Sequence, residues 1–181
     1  MQVAFLANVP DLQSQLSELT INADTETPEG LVELLQASAL EVLRKDSYWT
    51  HVSASSQTVK TREEAARVFE KISIAERSNF STETLSNVNG RVREQEAIAP
   101  DTDEEPGSYI VVTFLIGSED DNPLFGEIYD PEQLKEALQR IAAVTPEYLL
   151  ISELLWVPQK ETDSLSYDDM LLAYANMVQI A

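Results

Sequence analysis

At 181 residues, with 12 basic side chains set against 32 acidic ones and a formal net charge of -20, the chain presents a surface that repels phosphate backbones and anionic lipid headgroups. Nucleic acid and direct docking on an anionic membrane are therefore not expected, and the natural partners are proteins, basic-surfaced ones first. The absence of cysteine removes disulfides, thiolate metal sites and a cysteine nucleophile, while an apolar fraction of 43% suffices for the core of one folded domain.

The first predicted element is a strand over Gln2 to Val9, closed by Pro10. The opening residues lack the basic n-region of a signal peptide, and no apolar run approaches the roughly 18–20 residues needed to span a bilayer. Thr27-Pro28-Glu29 then supplies an N-cap, a proline at the first helical position and an acid in the first turn. Leu31, Leu35, Ala39 and Val42 follow on one face. A second strand is expected over Tyr48 to Val59, with Trp49, His51 and Ser53 on one face and Tyr48, Thr50, Val52 and Ala54 on the other. Thr61-Arg62-Glu63-Glu64 forms a capping box before Ala65, Val68, Phe69 and Ile72 at helical spacing.

Beyond that helix the composition changes. Ser81 to Gly90 is polar, and Ala99 to Gly107 is acidic and bracketed by Pro100 and Pro106, which reads as a loop. Tyr109 to Gly117 is β-branched and aromatic throughout, the clearest strand of the chain. An acidic stretch, Glu119-Asp120-Asp121, follows. Asp130-Pro131-Glu132-Gln133 caps a helix carrying Leu134, Leu138 and Ile141. A fourth strand runs from about Tyr148 to Val157 and stops at Pro158. Ser166 caps a last helix with Met170, Leu171, Tyr174 and Met177.

This order predicts one α+β domain over residues 1–181 with an inserted helical segment and acidic loop at about 60–107. Its expected architecture is a two-layer sandwich, a four-stranded sheet with helices, ferredoxin-like once the insertion between strands 2 and 3 is removed. If the middle helix is a true crossover, the same pattern gives a mostly parallel sheet.

Three segments occur in register over most of the chain: Ala23-Asp24-Thr25-Glu26-Thr27-Pro28-Glu29-Gly30-Leu31; Ala75-Glu76-Arg77-Ser78-Asn79-Phe80-Ser81 through Leu85-Ser86-Asn87-Val88-Asn89-Gly90; and Leu154-Leu155-Trp156-Val157-Pro158-Gln159. Together they resemble the domain of unknown function 1517 (DUF1517) family of cyanobacteria and chloroplasts. That resemblance implies no established enzymatic activity. It implies a link to photosynthetic membranes, because members resemble anchored proteins with a Gly-rich region and a transmembrane helix ahead of this domain. A plant relative is tied to adjusting energy dissipation in changing light. The expected localisation is soluble for the chain as given, and thylakoid- or envelope-associated if a longer product carries an anchor.

Candidate sites are few. His51 is the single histidine, and no nucleophile-elbow pattern surrounds Ser53, Ser55 or Ser56, so acyl-transfer chemistry lacks its parts. The acids Asp101, Asp103 and Glu105, and Glu119 to Asp121, match no EF-hand spacing. No catalytic residue, cofactor or metal site is therefore assigned. The Asp24, Thr25 and Glu26 loop reads as a helix cap, or as an exposed recognition loop; Asn87 and Asn89 suit a turn or a polar contact surface. Trp156 sits in a strand apolar on both faces, a core residue or an interface anchor. Met170, Leu171, Leu172, Ala173, Tyr174, Met177, Val178 and Ile180 wrap nearly all round a helix. That excess suggests deep insertion, or docking against a partner or a second copy, with Met170 and Tyr174 at the contact.

The leading expectation is a non-enzymatic protein-interaction domain in photosynthetic cells. The alternatives are a carboxylate-based or divalent-ion-dependent hydrolase or transferase, and a small-ligand or pigment sensor with a pocket near Trp49 and Trp156.

Overall fold

The computed structural model describes residues 1–79, 108–120 and 122–181. Asn87, Asn89, the acidic loop with Asp101, Asp103 and Glu105, and Asp121 lie outside them. In chain order the elements are β1 (Gln2–Leu6), α1 (Leu12–Asn22), α2 (Pro28–Arg44), a 3-10 turn (Asp46–Tyr48), β2 (Trp49–Ser53), α3 (Arg62–Asn79), β3 (Tyr109–Ser118), α4 (Pro131–Ala142), β4 (Leu149–Val157), α5 (Tyr167–Ala173) and β5 (Val178–Gln179).

The expected four-stranded, ferredoxin-like sheet is not what forms. Five strands lie in the order β4-β3-β1-β2-β5, and every neighbouring pair is antiparallel. The cause is α1. One helix between two strands carries the chain back to where the first began, so the second runs parallel, as in a ferredoxin-like unit. Two helices carry it back and forth again, so β2 descends directly beside β1. The α1 stretch shows little apolar periodicity: its buried residues are Leu12, Gln13 and Leu16. Gln13 is buried because its amide donates to the Pro158 and Lys160 carbonyls, both at 2.8 Å.

The last apolar run is likewise two elements, not one long helix. Ser166 caps α5 by accepting from the Asp169 amide at 3.1 Å. The helix ends at Ala173, and the chain turns to add β5 against His51 and Val52. The surplus of apolar residues fits a helix face followed by a strand.

Nor are there two layers. On one face of the sheet Val3, Phe5, Val52, Ile110, Val112, Phe114 and Trp156 form the main core with residues of α1, α2 and α4. On the other, Ala4 and Val111 pack with Met170, Tyr174 and Met177, and α3 lies on that same face through bonds to Gln2, Thr113 and Glu153. Burying each large side chain of the main core, such as Phe5, Phe114 or Leu138, contributes about 1.5–3 kcal/mol. The three-layer arrangement explains why β3 and β4 are apolar on both faces.

The helix caps form as the sequence predicts. Thr27 accepts from the Gly30 amide at 3.1 Å and Thr61 from the Glu64 amide at 3.1 Å, while Asp130 accepts from the Gln133 amide at 2.8 Å. The alternation expected for β2 breaks. A bulge opposite Ala4/Phe5 pairs Trp49 with Phe5 and His51 with Ala4, which sends Trp49 into the main core and His51 to the opposite face.

Candidate interaction surface

The loop before α2 is built around its cap. The Asp24 carbonyl accepts from the Thr27 amide at 3.3 Å and the Thr27 hydroxyl at 3.2 Å. The Asp24 carboxylate accepts from the Glu26 amide at 3.3 Å, a side-chain-closed turn. Asp24, Thr25 and Glu26 are all exposed. The cap reading and the exposed-loop reading thus describe one object, a braced turn whose acidic side chains face solvent.

Trp156, Met170 and Tyr174, weighed above as contact residues, lie in the interior. Their exposures are 8%, 0% and 4%, because the sheet's two faces are both covered. Met170 and Tyr174 fasten α5 onto Ala4 and Val111, so neither lines a surface of this chain. Leu172, on the same helix, is 86% exposed.

Sequence reasoning overlooked how α3 is held. Phe69 is buried, but Ile72, expected on the buried stripe, is 38% exposed. Polar groups do the fastening instead. Glu76 accepts from Gln2 Nε2 at 2.5 Å and Thr113 Oγ1 at 3.4 Å. Glu153 on β4 accepts from Ser73 Oγ and Arg77 Nη2, each at 2.7 Å. Arg77 is largely exposed, so its ion pair contributes about 0–1 kcal/mol. The spacing Phe69, Ser73, Glu76 follows one helix face, and that was the available signal. Gly117 also matters: a Cβ there would come within 2.9 Å of Ile151 Cγ2, so its absence makes room for the Ile151 side chain on the neighbouring strand, whereas the Phe69 ring of α3, at 3.7 Å, would be in ordinary contact.

Burial raises the Glu76 carboxyl above its ordinary range, against the lowering influence of the Met1 amine, Gln2 and Thr113. Burial, and secondarily the Glu76 charge, raises the Tyr174 hydroxyl. Because the folded state holds the Glu76 proton to higher pH than the unfolded chain does, stability falls as pH rises from the ordinary carboxyl range through the raised value. Glu76→Gln keeps an oxygen for Gln2 and loses the charge. Urea midpoints measured from pH 4.5 to 7.5 should show the variant gaining on the parent as pH rises; a constant difference would contradict the buried charge.

His51 is buried beside Tyr109 and Tyr167, ring centroids 5.9 and 6.2 Å away, and burial lowers its pKa. Its Nδ1 is buried and meets no hydrogen-bond partner among the described residues. A cleft of about 380 Å³ lies between the end of β3 and the end of α4, lined in part by Asp120, Leu124, Arg140 and Tyr148. It brings one acid among the described residues to the wall, where paired-carboxylate chemistry needs two. A smaller cleft of about 260 Å³ is lined by Asp46, Ser47, Trp49, Pro131, Glu132 and Lys135; its two acids, Asp46 and Glu132, are both exposed. No group of three metal-ligating side chains gathers among the described residues. Glu119 is paired with Arg62.

The sheet's two edges differ. β5 is two residues long, whereas β4 runs nine residues and pairs on one side, with β3. Ser152 to Leu155 are all partly exposed, and Leu150 and Ile151 are 38% and 41% exposed. Among the described residues, β4 therefore presents an unpaired backbone ladder on its outer side.

No solved structure matches the chain, and no described helix is long and apolar enough to cross a membrane. It is 37% identical over 185 residues to "Protein FLAP1 homolog A" of Synechocystis sp., covering 98% of this chain and 55% of the relative. It is 34% identical over 174 residues to "FLUCTUATING-LIGHT-ACCLIMATION protein 1, chloroplastic" of Arabidopsis thaliana, covering 96% of this chain and 44% of that protein. The chain spans about half the length of these curated relatives. A family model described as "Protein of unknown function (DUF1517)" matches residues 1–180, and the chain belongs to that family.

Proposed function

We propose that this chain is a non-enzymatic interaction domain that serves acclimation to changing light in photosynthetic cells. The observation that carries this reading is the similarity, across 98% and 96% of the chain, to two proteins whose names place them in the FLAP1 group. The geometry adds support. The histidine is a packed strand residue, the acid raised by burial anchors a helix, and the net charge of -20 favours encounter with basic protein surfaces. Any membrane attachment would come from parts of a longer protein, since this acidic body repels anionic headgroups.

The test is a domain exchange. In a Synechocystis strain, the matching part of homolog A is replaced by this chain, and chlorophyll fluorescence is followed in constant and in fluctuating light. Normal responses in both regimes are expected, with a strain deleted for homolog A departing from the parent in fluctuating light. An exchange strain that accumulates the folded protein yet behaves as the deletion does would refute the reading.

A further inference from the structure

The geometry points to β4 as a docking edge that accepts an extended, basic segment of a partner protein as a sixth strand; this deepens the interaction reading above by naming its site and the chemistry of its occupant. Long, regular sheet edges are a hazard that folded proteins blunt with lysine, proline, bulges or brevity. The β5 edge is blunted by being two residues long. β4 carries an irregularity only at its start, where the register with β3 shifts between Ile151 and Leu149; from Ile151 to Val157 the register is regular, and the strand holds no lysine, proline or glycine.

The bonding pattern shows which backbone groups face outward. Phe114 exchanges both hydrogen bonds with Met1, each at 2.8 Å, so the even-numbered residues of β3 face β1 and the odd-numbered ones face β4. Within that register Val111, Thr113 and Leu115 bond Val157, Leu155 and Glu153. The N–H and C=O groups of Ser152, Leu154 and Trp156 therefore point away from the sheet. No strand among the described residues meets them.

Charge selects the occupant. A second copy would bring another body of charge -20 against this edge, and like charge opposes it. An extended segment bearing lysine or arginine is attracted by the same field. Such an added strand draws affinity from main-chain hydrogen bonds and selectivity from alternating side chains. Apolar residues on one side would continue the surface of Leu154, while basic ones would answer the chain's net charge of -20 and not Glu153, whose carboxylate is engaged by Ser73 and Arg77.

The test uses the full 181-residue chain and a capped nine-residue peptide of alternating lysine and valine. A peptide of equal charge interrupted by prolines controls for attraction alone. Amide exchange in the free chain should be fast at the partly exposed Ser152 and Leu154 and slow at Glu153 and Leu155. The alternating peptide should slow the first two, and the proline peptide should not. Ser152→Pro removes one outward donor and no bond to β3, and should weaken binding about tenfold, the loss of one backbone hydrogen bond. Should that variant unfold, Ser152→Lys keeps the amide and adds a repelling charge, with the same direction expected.

Outward amides already protected in the free chain, equal binding by the proline peptide, undiminished binding by a folded variant, or peptide-independent dimerisation through β4 would each overturn the assignment. In the exchange strain the two readings part. Full rescue by a folded Ser152→Pro chain removes the edge and leaves the acclimation role; failure of the unaltered chain removes the role itself.

Discussion

Met170→Ala is expected to lower the unfolding free energy by about 2–5 kcal/mol, the range for emptying a fully buried methionine site. For a chain of this length that corresponds to a fall of roughly 4–20 °C in the melting temperature. Met170 is 0% exposed and joins α5 to Ala4 and Val111 on the second face of the sheet. Nothing beneath it can move in to fill the space, since β1 and β3 are locked in their ladder. Leu172, two residues on and 86% exposed, supplies the comparison. Leu172→Ala should change stability by no more than about 0.5 kcal/mol. Urea unfolding of the two variants separates a helix that closes this domain's core from one whose apolar residues await another protein. Equal, small changes would mean that α5 does not close the second face.

The second large effect is expected at Gly30, where two tendencies compete. Alanine is a better helix former than glycine by about 1 kcal/mol, so helix propensity alone predicts stabilisation. But a Cβ at Gly30 would stand 2.1 Å from the Asp24 carbonyl oxygen and 2.9 Å from its carbon. These are backbone atoms of a turn closed by Thr27 and Glu26, so no flexible side chain can yield. Overpacking of this kind costs about 1–3 kcal/mol, and shifting the turn also breaks the Thr27 cap, about 1 kcal/mol more. The collision wins, and Gly30→Ala should destabilise by about 1–3 kcal/mol net. Gly126→Ala, where a Cβ meets nothing within 4 Å, should be close to neutral. Thermal melts of both variants check this, and a Gly30→Ala chain as stable as its parent would show that the Asp24 turn is not held as described.

Local signals were readable wherever a residue acts within a few positions of itself. Thr27, Thr61, Asp130 and Ser166 each cap the helix that follows, because a capping oxygen reaches an amide two or three residues on. Tyr109 to Gly117 declared itself by β-branched composition, and the strand is Tyr109–Ser118. Helix α1 did not declare itself. Its polar residues are explained by partners far along the chain, as Gln13 is by Pro158 and Lys160. The face of His51 was misread because a bulge, which depends on β1, shifts the alternation of β2 by one residue.

Composition established a charge of -20, the absence of thiol chemistry and enough apolar residues for one core, properties that hold in any conformation. Helix starts and strand-forming runs were equally settled by neighbours in the chain, since their energies come from contacts within a turn or from β-branched side chains. Pairing decided the rest. Whether Trp156, Met170 and Tyr174 would be surface or core depended on helices covering both faces of the sheet. Glu76 and Glu153 became fasteners because α3 is laid across β1, β3 and β4. β4 is an edge strand among the described residues because β3 has β1 on its other side and β2 fills the far side of β1. Those outcomes rest on contacts between residues tens of positions apart, and the periodicity of a single segment carries no record of them.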